Sequence, residues 1–274
     1  MKYKMIVLDL DGTLTNSRKE ITPRTKQALM QAQAKGIHVV LASGRPTYGI
    51  MPLAEELELK KYGGFILAFN GGKIINCTDG AVLFEQKLDE KIVPQLYDEA
   101  MKAGMAILTY QGEGIAATDK ENRYVQEEAF INKMPVVQYN DFLGQLVYPV
   151  NKCLIVGDPS PLHELELRLA EKMEGKMEVY RSAEYFIECV PRGIDKARSI
   201  DRLITTLGIR REEVIACGDG YNDLSMIRFA GLGVAMANAA EGIRQKADFI
   251  TLSNEEDGVA HVVEQFILSE KKDM

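Results

Sequence analysis

The sequence predicts an α/β fold in which a parallel β-sheet is covered by helices and interrupted by a second, α+β domain. Continuous apolar stretches of strand length alternate with helical stretches in the first third of the chain, and the same alternation returns in the last third. Strands buried on both faces are typical of parallel sheets. Between these parts the pattern changes to paired strand-like segments. We therefore predict a Rossmann-like core from residues 1–82 and 194–274 and an inserted α+β domain from residues 83–193.

The first third of the chain supplies three strands and two helices. Thr22 and Pro23 begin the first helix, because Thr caps a helix and Pro fits its first turn, and Gly36 ends it. Pro46 begins the second helix in the same way. The predicted elements are strands at residues 4–8, 37–42 and 65–69 and helices at residues 23–35 and 46–57.

The last third repeats this order, and the middle does not. The predicted C-terminal elements are helices at residues 196–207, 224–229, 239–246 and 259–268 and strands at residues 214–217, 233–235 and 249–251. In the middle, residues 114–118 form a strand, and residues 177–190 form two strands broken near Ala183. These strand-like stretches have no crossover helices between them, which favours antiparallel pairing.

The composition is that of a globular protein and excludes several classes of partner. The chain has 274 residues, 46% hydrophobic and 27% charged, with a net charge of -7. This acidic balance argues against nucleic acid and anionic membranes as partners. The apolar runs are of strand length and the N-terminus has no signal-peptide pattern, so we expect a cytoplasmic protein. The four cysteines and three histidines are scattered, which predicts reduced thiols and no zinc site.

The segment Asp9-Leu10-Asp11-Gly12-Thr13 directly follows the first apolar strand. A strand end can direct Asp9 into a crevice, and the turn at Gly12 can return Asp11 to it. One carboxylate can then attack as a nucleophile while the other moves a proton. The spacing also suits part of a calcium-binding EF-hand loop, but Leu14 stands where that loop requires Gly, and a strand rather than a helix precedes it.

Three further segments lie at predicted strand ends or at the return from the insertion. Ser43-Gly44-Arg45 follows the second strand, where a hydroxyl and backbone N–H groups at a helix start suit an anion. Lys196 begins the helix after the insertion, and Gly218-Asp219-Gly220-Tyr221-Asn222-Asp223 follows strand 214–217. Open α/β sheets bind ligands at the carboxyl ends of their strands, so we expect these segments to meet there.

This gathering of charge implies a metal ion. Asp9, Asp11, Asp219 and Asp223 would bring up to four negative charges into one crevice. Such a cluster cannot also bind a phosphate ester without a strong cation, and Lys196 supplies only one positive charge. The available donors are oxygens, which favour Mg²⁺ over Zn²⁺.

Together, these segments resemble the four motifs of the haloacid dehalogenase superfamily, in order and in spacing. Asn70-Gly71-Gly72 resembles the Asn-Gly-Ala of its Cof-type branch, and so does the stretch at residues 182–188. The chain is similar to the YidA-like sugar-phosphate phosphatases over essentially its whole length. It departs from the branch where Ala197 replaces the usual Gly after Lys196. We expect Lys196 to keep its role, because Ala is favourable in a helix.

The resemblance implies a role for each residue of these motifs. Asp9 would attack phosphorus, and Asp11 would protonate the leaving alcohol and then activate water. Mg²⁺ would be held by Asp9, the Asp11 carbonyl and Asp219, while Asp223 would orient the metal shell or Lys196. The resemblance also implies contacts with phosphate or substrate for Leu10 through its backbone, Ser43, Gly44, Arg45, Asn70, Lys196 and Asn222. The insertion would be a cap domain that selects the substrate.

Several functions are compatible with the sequence. A Mg²⁺-dependent phosphatase of small monoesters, with sugar phosphates foremost, is the leading hypothesis; nucleotides, flavin phosphates and pyridoxal phosphate are alternative substrates. A phosphomutase uses the same nucleophile and acid but releases no phosphate. A receiver domain of a two-component system also clusters Asp, Thr or Ser and Lys but is much shorter. A non-catalytic sugar-phosphate binder needs no second carboxylate. The sequence leaves the oligomeric state open.

Overall fold

A computed structural model describes residues 2–269 of the chain. These residues form two compact units, one built from both chain ends, up to Phe84 and from Asp195, and one spanning Glu85–Ile194. The predicted insertion at residues 83–193 begins two residues before the second unit and ends one residue before its end. The outer limits predicted for the core, residues 1 and 274, lie outside the described residues.

The strands of the described residues form two sheets. In chain order they are β1 Met5–Leu8, β2 His38–Ala42, β3 Phe65–Ala68, β4 Lys73–Asn76, β5 Val82–Glu85, β6 Ala106–Gln111, β7 Gly114–Ala117, β8 Val136–Gln138, β9 Cys153–Val156, β10 Met177–Ala183, β11 Phe186–Pro191, β12 Val214–Gly218, β13 Leu232–Ala235 and β14 Phe249–Ile250. One sheet has the order β14-β13-β12-β1-β2-β3-β4-β5 and the other has the order β10-β11-β9-β6-β7-β8.

Helices of between four and fourteen residues connect these strands. They are α1 Pro23–Ala34, α2 Thr47–Glu56, α3 Leu59–Tyr62, α4 Val93–Lys102, α5 Arg123–Asn132, α6 Phe142–Gln145, α7 Pro159–Lys172, α8 Lys196–Leu207, α9 Leu224–Phe229, α10 Glu241–Arg244 and α11 Gly258–Val263. The helix predicted at residues 239–246 is shorter than expected, and the predicted closing helix ends in a π-helical turn, Glu264–Leu268. Within residues 2–269, no helix combines the length and apolar character that crossing a membrane requires.

The first unit is the predicted α/β core. Strand β1 lies between β12 and β2 and runs parallel to both. The faces of the sheet are buried by apolar side chains, with α8 contributing Ile200 and Leu203 to a cluster that includes Val7 and Ala216. The prediction of a wholly parallel sheet is wrong near one edge, where β4, the neighbour of the edge strand β5, runs antiparallel to β3. We did not predict β4 because only its two central residues are buried, which leaves too short an apolar run to recognise.

The second unit is an α+β domain in which all the described strand pairs but one are antiparallel. The exception is the parallel pair β7–β8, which α5 connects, so the expectation that no crossover helix occurs here is wrong at this point. Helices α4 and α7 supply Leu96 and Leu165 to the core, which they share with Ile107 and Ile155 of the sheet. The predicted fold class, an α/β core with an inserted α+β domain, is confirmed.

Candidate active site

A buried lysine links the first motif to the last. Asp9 follows β1, and its backbone N–H donates to the carbonyl of Cys217 at 3.0 Å, which ties the ends of two adjacent strands together. Lys196, at the start of α8, donates from Nζ to Asp9 Oδ1 at 2.7 Å and to Asp223 Oδ1 at 2.5 Å. The Lys196 side chain is fully buried, so this ion-pair triad is shielded from water. The lysine therefore fixes both carboxylates.

Asp219 follows β12 and is held by the turn after β1. Thr13 Oγ1 donates to Asp219 Oδ1 at 2.8 Å. Gly12 has a φ of +88°, and a Cβ atom there would lie 2.3 Å from Asp219 Oδ2. A glycine is thus required at this position both for the left-handed backbone and for the close approach of the carboxylate.

The loop after Asp219 is closed by Asp223. Its Oδ2 accepts from the backbone N–H groups of Asp219 and Gly220, at 3.1 and 2.9 Å. Its other oxygen accepts from Lys196. Because both oxygens already accept hydrogen bonds, the Asp223 side chain is suited to orienting Asp219 and Lys196.

Carboxylate oxygens of Asp9, Asp219 and Asp223 lie within 4.8 Å of one another, which makes this a cluster that could hold a metal ion. Burial and the neighbouring charge of Asp223 raise the pKa of Asp9 to about 8, despite the lowering effect of Lys196. Burial and the same charge raise the pKa of Asp219 to about 6. A cation would relieve this crowding of negative charge, so the donor set fits a hard divalent ion.

The carboxylate of Asp11 takes part in a separate ion-pair group. Arg45 donates from Nε to Asp11 Oδ2 at 2.8 Å and from Nη2 to Oδ1 at 2.6 Å. Lys19 Nζ donates to the same Oδ1 at 2.6 Å. Although burial opposes ionisation, these two cations hold the pKa of Asp11 below its usual value. The guanidinium of Arg45, for which the resemblance implies a contact with phosphate or substrate, is directed at Asp11, and Arg45 is 8% exposed.

The loops after β2 and β3 are joined by hydrogen bonds. The N–H of Asn70 donates to the carbonyl of Ser43 at 2.8 Å, and Ser43 Oγ accepts from the N–H of Arg45. Gly44 lies against the side chain of Asn70, since a Cβ there would be 3.3 Å from its Nδ2. Asn222 Nδ2 donates to Asn70 Oδ1 at 3.2 Å. Three of the predicted motifs thus meet around Asn70.

Helix α8 anchors one side of this arrangement. Ser199 lies one turn after Lys196, and its Oγ donates to the carbonyl of Gly71. The Asp195 side chain caps the helix by accepting from the Arg198 N–H. Ala197 occupies an ordinary helical position, so the departure from the family pattern leaves the lysine in place. Leu10 is fully buried, and its carbonyl accepts from Thr15.

The predicted site residues therefore lie at the carboxyl ends of the core strands. Their charged side chains form two groups, one around Lys196 and one around Asp11, and not the single group expected. Sequence analysis missed Lys19 and the specific contact that Thr13 makes with Asp219. Lys19 gives no periodic or motif signal, because its role depends on the local conformation of a loop.

Comparison with known proteins identifies the family. A family model described as haloacid dehalogenase-like hydrolase matches residues 6–263. The crystal structure of a haloacid dehalogenase-like hydrolase from Bacteroides thetaiotaomicron is 55% identical, with a TM-score of 0.95 and coverage of 96% of this chain and 99% of that one. Phosphatase YwpJ of Bacillus subtilis is 31% identical over 96% of this chain and its own full length.

A third relative carries a substrate class in its name. The structure of the subclass IIB sugar phosphatase BT4131 is 25% identical, with a TM-score of 0.77 and coverage of 96% of this chain and 98% of that one. With the family model spanning the core motifs on both sides of the insertion, the chain belongs to the haloacid dehalogenase-like hydrolase family and is a phosphatase, a phosphoric monoester hydrolase.

Proposed function

We propose that this phosphatase hydrolyses small phosphate monoesters, sugar phosphates among them, through an aspartyl phosphate on Asp9 and with Mg²⁺ as cofactor. The observation that carries the proposal is the buried ammonium of Lys196 between Asp9 and Asp223, beside the carboxylate of Asp219. A buried lysine with two carboxylates contributes little net stability compared with apolar packing, so this arrangement suits a chemical role.

In the first step, Asp9 attacks phosphorus and the bond to the leaving alcohol breaks. Lys196 holds Asp9 Oδ1 at 2.7 Å, so that the second oxygen is presented in a fixed direction. A preorganised nucleophile loses little entropy on reaction. Asp11, which the attacking water of the preceding turnover has protonated, gives this proton to the departing oxygen.

In the second step, Asp11 takes a proton from water as the water attacks the aspartyl phosphate. The bond between phosphorus and Asp9 breaks, and inorganic phosphate leaves. Both oxygens of Asp11 already accept bonds from cations, which favours the ionised form that a base requires.

Mg²⁺ would be held by Asp9 and Asp219, with the backbone carbonyl of Asp11 as a further ligand and Asp223 supporting the shell. The side-chain donors cluster within 4.8 Å and are all oxygens. When bound, the ion would stabilise negative charge on the phosphoryl oxygens.

Phosphate oxygens would be held by the loops around Asn70 and by Lys196. Ser43 and the Gly44 backbone lie in the loop that is bonded to Asn70, and Asn222 reaches the same side chain. The Leu10 backbone would join these donors. Arg45 would act on the substrate through Asp11, to which its guanidinium is hydrogen-bonded.

We propose that the insertion, residues 83–193, acts as a cap that selects the leaving group. Support for a sugar phosphate comes from the relative named as a sugar phosphatase. Nucleotides, flavin phosphates and pyridoxal phosphate are the alternatives to be ranked against it.

The experiment is phosphate release from p-nitrophenyl phosphate and from a panel of these metabolites. Activity should vanish with EDTA and return with Mg²⁺ better than with Ca²⁺, whose looser shell suits in-line transfer less well. Full activity without metal would exclude the cofactor. Isomerisation of a sugar phosphate without release of phosphate would identify a phosphomutase instead.

A further inference from the structure

Lys19 is a charged residue in the first unit that the motifs leave without a role. Its ammonium lies 2.6 Å from Asp11 Oδ1, the same oxygen that Arg45 Nη2 contacts at 2.6 Å. The Lys19 side chain is 30% exposed, whereas that of Arg45 is 8% exposed. Asp11 is therefore held between a buried cation and a half-buried one.

The loop that carries Lys19 is built to direct it. Residues 16–20, which we call the Asn16 turn, are closed by the buried Asn16 side chain, whose Oδ1 accepts from the N–H groups of Arg18 and Glu20 at 3.0 and 3.1 Å. The N–H of Lys19 donates to the Asn16 carbonyl at 2.9 Å. Lys19 has a φ of 62°, a left-handed conformation that side-chain-bearing residues disfavour. Residues held in such conformations often serve a site.

The neighbouring residue provides a contrast. Arg18 lies in the same turn, but its side chain is 77% exposed and pairs with Glu20 at 3.0 Å. The left-handed residue of the Asn16 turn thus points inward to the site, while the adjacent cation pairs with Glu20 of the turn itself.

We propose that Lys19 is a positioning residue that holds Asp11 for the attack of water on the aspartyl phosphate; this inference rests on the proposed function. In that step, Asp11 accepts a proton from water, the water oxygen bonds to phosphorus, and the bond between phosphorus and Asp9 breaks. The Asp9 carboxylate is regenerated and inorganic phosphate is released. An acceptor fixed by three charge-assisted bonds suits this step better than it suits donation of a proton.

Formation of the aspartyl phosphate depends less on the contact between Lys19 and Asp11 when the leaving group is good. p-Nitrophenolate departs with little help from an acid. With this substrate, loss of Lys19 should therefore slow hydrolysis of the aspartyl phosphate far more than its formation.

The test is acid-quench measurement of phosphoenzyme with ³²P-labelled p-nitrophenyl phosphate and Mg²⁺, on the full chain. For Lys19→Met we expect steady-state turnover to fall by roughly 10- to 100-fold, as for a misplaced catalytic group. The fraction of enzyme carrying phosphate should rise above that of the wild type. Lys19→Arg should restore most of the turnover, and Arg18→Met, the matched control in the same turn, should behave like the wild type.

Other results would overturn either the role of Lys19 alone or the covalent mechanism as a whole. Unchanged turnover in Lys19→Met, or slower turnover with no rise in phosphoenzyme, would overturn the role of Lys19 while leaving the proposed function standing. Turnover that survives in Asp9→Asn, with deamidation excluded, would instead refute the covalent mechanism, and the inference with it. Matching thermal melting of Lys19→Met and Lys19→Arg would show that the difference between them is not one of folding.

Discussion

Replacing Lys196 by Met tests whether the buried ammonium is what allows two carboxylates to remain inside the core. The substitution keeps the length of the side chain and removes its charge. Asp9 and Asp223 are 2.7 and 2.5 Å from Lys196 Nζ and would lose their shared cation in a place closed to water. Removing one partner of a buried ion pair costs about 3–5 kcal/mol. We expect the free energy of unfolding of the variant to be lower than that of the wild type by this amount at pH 8 in metal-free buffer.

The loss should shrink as the pH falls. The pKa of Asp9 is already raised to about 8 by burial and by Asp223, and removing Lys196 raises it further. A carboxylate whose pKa is raised by folding binds protons more tightly in the folded state, so its destabilising effect grows as the pH rises above its unfolded pKa. Without the ammonium, the folded variant should hold more protons on the buried carboxylate pair than the wild type does, so its loss relative to the wild type should be smaller at pH 5 than at pH 8.

Urea unfolding followed by circular dichroism at pH 5 and pH 8 measures both effects. The double variant Lys196→Met with Asp223→Asn should be more stable than Lys196→Met alone at pH 8, because only one buried carboxylate remains. Asp223→Asn alone completes the cycle and isolates the coupling between the two residues. An equal loss at pH 5 and pH 8 would refute the reasoning, since lost packing is independent of pH.

The remaining predictions concern the nucleophile and the metal site. Asp9→Asn should abolish phosphate release with an unchanged circular dichroism spectrum, because an amide cannot form the acyl phosphate; residual turnover above a few per cent, with deamidation excluded by mass spectrometry, would contradict it. Gly12→Ala should weaken Mg²⁺ binding in calorimetry, because its Cβ would lie 2.3 Å from Asp219 Oδ2. Gly36→Ala is the matched control, with a φ of +86° and no atom within 4 Å of the added Cβ; equal Mg²⁺ affinities in the two variants would contradict the steric argument. Mg²⁺ affinity should fall by roughly tenfold per pH unit, for one displaced proton, between pH 8 and pH 6, because the pKa values of Asp9 and Asp219 are raised to about 8 and about 6; a flat pH profile would contradict it.

The parts of the site that could be predicted are those fixed by strand ends. Asp9 follows β1 and Asp219 follows β12, and adjacent parallel strands deliver their carboxyl ends to one edge whatever the details of the loops. The start of α8 was predicted at Lys196, and the structure begins the helix there, because a helix start is marked by local sequence.

The partners of Asp11 could not be predicted in this way. They depend on the left-handed conformation of Lys19 and on the side chain of Asn16, which closes the turn. Neither leaves a periodic pattern in the sequence. Strand β4, which lies beside the edge strand β5, was missed for a related reason, since an antiparallel strand added after a tight turn needs only two buried residues.

The separation of the site into two charge groups changes the argument for a metal ion. From the sequence, four carboxylates faced one lysine. In the structure, Asp11 pairs with Lys19 and Arg45, which offset its negative charge. The excess negative charge therefore lies in the other group. There, Asp9, Asp219 and Asp223 carry three negative charges against the one positive charge of Lys196, when all are ionised.

The excess of two negative charges in that group is the charge that one divalent cation neutralises. Without the ion, the group reduces its charge by taking up protons, which is what the raised pKa values of Asp9 and Asp219 express. A protonated Asp9 is a poor nucleophile, and an ionised cluster repels a phosphate dianion. Cation binding would remove both obstacles at once, because it favours the ionised carboxylate and offsets its charge. Lys196 alone cannot do so, since its ammonium is already shared between Asp9 and Asp223.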